Sequence, residues 1–247
     1  MNRTYRFCLV SLLVVLAASA AADPFNSCWN WQGEKVRGKV KKIETTMPND
    51  RTIDTFDKDG RWLKHDLLDA DMAVVYETKL EYSKDGDLCK VVFSKAGAKE
   101  PMYTETAEYK EKGIIKSLAG VRGTAKYGSD SFKYDDDKRL KSISNRMGGR
   151  LMNWTFKWDD EGNLVETAML YEDYKMAGSK YTNNDKGDPV KVEITRKGMS
   201  RTTTYSYKYD DKGNWTERTT TDSMVHGDKV VKGTPSVTTR KITYWPE

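Results

Sequence analysis

The side chains most often recruited for acid, base or metal chemistry are sparse in this chain. Only two histidines are present, His65 and His226, one near each end of the chain, which excludes a His-based metal cluster, and a catalytic triad would need a His paired with a nucleophile that nothing here singles out. Carboxylates are plentiful. They fall mainly in turn-like clusters such as Asp57-Lys58-Asp59-Gly60 and Asp135-Asp136-Asp137, or opposite lysines on strands. An EF-type calcium loop needs oxygen ligands at alternating positions, a Gly at the sixth and a Glu at the twelfth; neither cluster has that register, and turn chemistry explains both. The aromatics are left, with 7 Trp and 14 Tyr in 247 residues. Aromatic rows on a curved sheet stack on sugar rings or line an apolar lumen, with Tyr hydroxyls adding polar contacts. Trp154, Trp158, Tyr205, Tyr207, Tyr209 and Trp215 are therefore the candidate ligand-binding residues. The competing role for the same rows is burial, because Leu and Ile are few. No catalytic residue, metal or cofactor is expected, and the chain reads as a non-enzyme.

The elements that must position these aromatics are copies of one unit. "YKYDDKGNWTERT", starting at Tyr207, aligns with "TFDKDGRWLK" at Thr55, "EYSKDGDLCK" at Glu81, "EYKEKGIIKS" at Glu108, "KYDDDKRLKS" at Lys133, "KWDDEGNLVE" at Lys157 and "KYTNNDKGDPVK" at Lys180. The anchoring aromatics are Phe56, Tyr82, Tyr109, Tyr134, Trp158, Tyr181 and Tyr209, spaced by 26, 27, 25, 24, 23 and 28 residues. A period near 25 over seven copies makes the repeat the architectural unit.

Each copy reads as a hairpin. Met152, Trp154, Phe156 and Trp158 alternate with Asn153, Thr155 and Lys157, the period of a half-buried strand. An Asp-rich turn follows, whose Gly suits a left-handed position closing a bulge. Val190, Val192 and Ile194 then share a face on a return strand, while "WTERTTT" places Trp215 and Glu217 on one face and Arg218 on the other. The expected fold is all-β, an antiparallel up-and-down meander of about 14–16 strands. Open twisted sheets rarely exceed about ten strands, so this one should curl into a barrel or half-barrel.

"YKYDDKGNWTERT" and "FKWDDEGNLVET" resemble the tyrosine-aspartate (YD, RHS-like) repeat, in which an aromatic, any residue and Tyr-Asp precede two variable residues, a Gly, an Asn or Arg and an apolar residue. The resemblance runs from Gly38 onward and degrades in other copies; Lys138 replaces the Gly of the Asp135 turn. More narrowly, the chain resembles short secreted proteins of Gram-negative bacteria built only of such repeats. The resemblance implies a curled β-sheet; long family members form shells around toxin domains, and glycan binding is associated with some. This chain has no terminal toxin domain and too few units for such a shell.

Arg3, Arg6, the run "CLVSLLVVLAASA" and the small residues before Asp23-Pro24 have the layout of a secretory signal peptide. We expect a leader at 1–22 and a single β-repeat domain at 23–247. Loss of Arg3 and Arg6 lowers the net charge from +5 to +3, which does not argue for nucleic acid. Cys28 and Cys89 then form an even pair in an oxidising compartment, so a Cys28–Cys89 disulfide is expected. No later segment approaches the roughly 20 apolar residues of a spanning helix. The expected function is a periplasmic or extracellular binder of carbohydrate or another cell-envelope component; the alternatives are a structural or interaction module and, with post-turn strands too polar for a lipid-facing stripe, an outer-membrane barrel.

Overall fold

A computed structural model describes residues 36–246, apart from 112–113, 123–124, 148–149, 173, 197–198 and 227–228. The expected leader and Cys28 lie outside the described residues. All regular structure among the described residues is strand. The chain runs through β1 (Val40–Thr46), β2 (Arg51–Phe56), β3 (Trp62–Leu68), β4 (Val74–Tyr82), β5 (Leu88–Lys95), β6 (Tyr103–Glu111), β7 (Ile114–Arg122) and β8 (Ala125–Tyr134). It continues through β9 (Leu140–Met147), β10 (Arg150–Trp158), β11 (Leu164–Tyr171), β12 (Tyr174–Asn183), β13 (Pro189–Arg196), β14 (Met199–Tyr209) and β15 (Trp215–His226). Each strand pairs antiparallel with the next.

The last two strands, β16 (Lys229–Lys232) and β17 (Ser236–Tyr244), share one side of β15. β16 lies against Ser223–His226 and β17 against Glu217–Thr220. They are two halves of one wall position, interrupted at Gly233-Thr234-Pro235, where Pro235 has no N–H to give to a ladder. β17 then pairs with β1, Ile242 opposite Ile43, and the sheet closes. The result is an antiparallel barrel of sixteen wall positions; an even number is needed for the first and last positions to pair antiparallel.

The seven repeat turns all lie at one end of this barrel, and six of them share one hydrogen-bond pattern. In the last, Asp210 N–H bonds Asn214 O, Gly213 N–H bonds Asp210 O, and the Asp210 carboxylate accepts from Lys212 N–H and Asn214 N–H at 3.1 and 2.8 Å. Asp57, Asp135, Asp159, Asn184 and the hydroxyl of Ser83 hold the same position in their turns. The fourth residue must be left-handed: the five glycines there have φ of 78–88°, and Lys138 is forced to 61°.

A bulge beside every one of these turns gives the return strand an extra residue. It corrects two sequence expectations. Lys208 pairs with Glu217 and Tyr209 with Trp215, skipping Thr216. Trp215 and Arg218 therefore face inward and Glu217 outward, where plain alternation put Trp215 with Glu217. In the sixth unit the turn starts at Asn184, so Asn183, not Tyr181, holds the anchor slot. The anchors then fall at 158, 183 and 209, and the spacings of 23 and 28 become 25 and 26.

The inward face carries the core. Ile43, Leu88, Ile115, Leu118, Leu140 and Ile143 are all but fully buried, each contributing roughly 1.5–3 kcal/mol relative to exposure. The outward face is charged along its height: near the turn end Lys64 bridges Asp66 and Glu77, Lys157 meets Glu166 at 2.9 Å and Lys208 meets Glu217 at 2.8 Å, and at mid-strand Glu44 stands opposite Lys241 and Glu193 opposite Lys180. Cys89 is a free, exposed thiol on the outward side of β5. Cys89 is the extra residue of the β5 bulge, between Leu88 and Lys90, and the partner expected for it, Cys28, lies outside the described residues.

Lys138→Gly relieves a left-handed non-glycine residue and should stabilise the barrel by about 0.5–1 kcal/mol, net of the greater freedom of Gly in the unfolded chain. Gly213→Ala, whose new Cβ would stand 3.4 Å from Arg37 Cδ at φ +80°, should destabilise it by about 1 kcal/mol or more. Chemical denaturation reads both; a neutral or destabilising Lys138→Gly removes the argument for strain at that slot.

Candidate functional site

The six candidate aromatics all face inward, and each is engaged by the barrel itself. Trp154 is buried on β10 opposite Ile143 and Met169. Trp158 packs against the core and donates from Nε1 to Leu140 O at 2.8 Å. Tyr207 donates to Pro189 O at 2.7 Å. Tyr209 donates to Asp188 Oδ2 at 3.0 Å and accepts from Asn184 Nδ2. Trp215 is 2% exposed. Tyr205 is half-buried, its ring 6.3 Å from that of Tyr207 and 5.3 Å from the Arg218 guanidinium.

Several of these bonds belong to a ladder linking neighbouring units. Tyr82 donates to Trp62 O, Tyr109 to Leu88 O, Trp158 to Leu140 O, Asn183 to Leu164 O and Tyr207 to Pro189 O. In each case the acceptor is the first residue of the preceding return strand. A long polar side chain near the end of each strand is thereby spent on tying one hairpin to the one before it.

A different set of residues lines a recess inside the barrel. β1 and β2 supply Thr45, Thr52 and Asp54, β15 supplies Trp215 and Arg218, and β17 supplies Thr238 and Arg240. The recess is small, with a free volume of about 10 Å³, room for a water-sized group, and opens at its mouth. The two guanidiniums lie on Trp215, Arg240 at 3.5 Å and Arg218 at 4.9 Å from the ring centroid, a geometry in which cation–π attraction strengthens as water is excluded. Thr45, Thr52 and Thr238 are buried. The recess thus brings two guanidiniums, one carboxylate and several hydroxyls together on a rigid wall, and guanidinium pairs of this kind match the geometry of a carboxylate, sulfate or phosphate group.

Asp54 is committed differently. It is 5% exposed, and His65 Nδ1 on β3 lies 2.8 Å from its Oδ1. Burial alone would push the imidazole down; the charge of Asp54 and its hydrogen bond, with the charge of Asp66, outweigh that and leave the His65 pKa raised. At the turn end, Tyr209 and Tyr244 are pushed up to about 12, chiefly by burial, with the carboxylates of Asp188 and Asp210 accepting their hydroxyls.

The closing seam is tied at the same end. Arg37 N–H donates to Asn214 Oδ1 at 2.6 Å, its guanidinium donates to the carbonyls of Gly213 and Lys186, and Asn214 Nδ2 returns a bond to Arg37 O. Sequence reasoning found the aromatics and missed the recess. The available signal was parity: once the bulge after Asp211-Lys212-Gly213 is counted, Arg218 falls in the row of Trp215, an inward position where a charge is out of place.

No protein-family model matches the chain, and no curated protein does. Solved structures do. A porin-like protein from Bacteroides uniformis ATCC 8492 is 12% identical, with a TM-score of 0.59 over 84% of this chain and 98% of that one; this likeness shows a shared barrel fold. A porin-like protein from Bacteroides vulgatus ATCC 8482 is 13% identical, with a TM-score of 0.47 over 84% and 99% of the two chains. TcdB2-TccC3 without its hypervariable C-terminal region is 17% identical over 74% of this chain and 10% of its own length, with a TM-score of 0.34.

The His65–Asp54 pair gives a pH signature. A pKa raised by folding contributes stability that is complete below the unfolded value of 6.5 and is lost as pH rises through the folded value. The stability difference between the natural protein and Asp54→Asn should therefore be largest near about pH 5 and shrink toward about pH 9 in denaturant titrations. A difference that is flat with pH would show the imidazole uncoupled from Asp54.

Proposed function

We propose that the protein is a non-enzymatic β-barrel of the cell envelope that binds an envelope glycan at its inner face, seating an acidic group of the glycan between Arg218 and Arg240. The observation that carries this reading is the pair of guanidiniums on Trp215 at the floor of an open recess. Two guanidiniums share this recess with one carboxylate, Asp54, and paired guanidiniums present the fork geometry that suits an anionic oxygen group. The candidate aromatics support the site from behind: Trp215 is the platform beneath the arginines, and Tyr205 lies at its side.

The leader-like start of the chain supports export to the periplasm or beyond, and the barrel fold shared with porin-like proteins supports an envelope setting. The turn pattern, with Asp, Asn or Ser at its first position and a left-handed fourth residue, supports membership of the YD-repeat family. The outer wall argues for a barrel that does not span a membrane. Lys241 and Lys180 stand on it at mid-strand, opposite Glu44 and Glu193, and a cation facing lipid at mid-depth costs about 2–4 kcal/mol.

A carbohydrate array with uronic acid, sulfated, phosphorylated and neutral glycans tests the proposal. Acidic glycans should be retained and their neutral counterparts not, and Arg240→Gln should weaken retention about tenfold, the effect of removing one charge-assisted bond. Binding that ignores Arg240, or an array with no signal, sinks it.

A further inference from the structure

Among the described residues, the exposed large apolar side chains are segregated to one end of the barrel. Met72 lies in the turn between β3 and β4, Met102 between β5 and β6, and Val121 near the end of β7. Tyr174 begins β12, Met199 begins β14, and Met224 and Val225 pair across the last hairpin with Val231 and Val230. Their exposures run from 38% to 62%. All sit at the end opposite the seven acidic turns; the remaining exposed apolar residue, Val237, is on the outer wall of β17. Scattered singly, such residues need no explanation. Here they recur on hairpin tips around one rim, and the last hairpin projects farthest, with the outer edge of β16 bearing Val230 and Val231 beside Lys232.

We propose that this rim docks on a lipid bilayer. The barrel stands on the membrane with its apolar tips in the region between headgroups and acyl chains, while the charged wall stays in water. Three observations select a bilayer over other partners. Apolar tips recurring on several hairpins around one rim suit an extended surface, whereas an added peptide strand would use only the β16 edge. Two copies meeting through the short edge of β16 would bury only the Val230 and Val231 side of one hairpin and leave the other tips uncovered. Cations accompany the tips: Lys175 follows Tyr174, Lys232 follows Val231, Lys99 precedes Met102 by three residues, and Arg51 Nη1 lies 2.6 Å from Met72 Sδ. An apolar tip with a neighbouring lysine or arginine is the composition of interfacial segments, the ring or aliphatic group dipping and the cation meeting phosphate. Asp69, Asp71, Glu100 and Glu172 share the rim, so apolar insertion supplies most of the affinity and net charge little.

The test is flotation of the full exported protein with vesicles of phosphatidylethanolamine and phosphatidylglycerol. The natural protein should float, and the combination Tyr174→Ser, Val230→Ser and Val231→Ser should lower the vesicle-bound fraction about tenfold or more. Val237→Ser, on the wall, should float like the natural protein. Met72→Ser with Met102→Ser, on another part of the rim, provides a second variant if the first loses its near-ultraviolet circular dichroism. Protein that stays at the bottom of the gradient overturns the proposal, as do rim variants that are folded and float normally. Extraction by detergent alone points to a spanning barrel, and a dimer abolished by the rim variants without vesicle binding points to a second copy; either outcome also overturns it.

Discussion

The inner face of this barrel depends on one backbone constraint, a left-handed residue fourth in the five-residue turn that six of the seven units share. The residue closes the turn against a capping side chain and leaves the return strand one residue longer than its partner. The resulting bulge changes the parity of everything after it. Without it, Trp215 and Arg218 would not share a row, and neither would Trp62 and His65. The sequence can vary at most positions of the turn, and Lys138 shows that even the glycine is replaceable at a cost, but the count of residues through the turn cannot change without turning a core row outward.

Given that parity, the two faces separate by chemistry. The wall carries lysine and carboxylate side chains in pairs that are individually worth little as ion pairs. The interior is apolar toward the turn end and becomes polar where the threonines, Asp54 and the two arginines gather. The aromatic residues bridge these zones: their rings fill the core, and their hydroxyl or indole N–H groups satisfy carbonyls at the start of neighbouring strands. The same chemistry that makes Tyr and Trp attractive as sugar platforms makes them efficient struts, and at Tyr207 and Tyr209 the strut role occupies the hydroxyl.

Fold class, meander topology and the seven units were legible because they rest on local spacing, and local spacing survives in one sequence. Closure followed less directly, from strand number. The errors have physical origins. Alternation counted straight through Thr216 misplaced Glu217 because a bulge has no sequence mark beyond the preceding turn. Tyr181 was taken as an anchor because it is aromatic, whereas Asn183 makes the equivalent bond with an amide. The recess was invisible for a simpler reason: Asp54, Arg218 and Arg240 come from opposite ends of the chain and meet only across the seam.

That seam also shapes how the protein reaches its native state. Nearly all pairings join consecutive strands and can form as the chain emerges, but Ile43 must wait for Ile242. Until then the meander is an unclosed ribbon with a bare edge on β1 and another on its newest strand, the condition in which sheets recruit foreign strands. Joining the two ends carries the entropy of closing almost the entire chain into a loop, so it is the slow, late event in folding. The interrupted strand β16–β17 is therefore the latch of the barrel, and Arg37, reaching across to the last turn from just before β1, is the catch that it closes on.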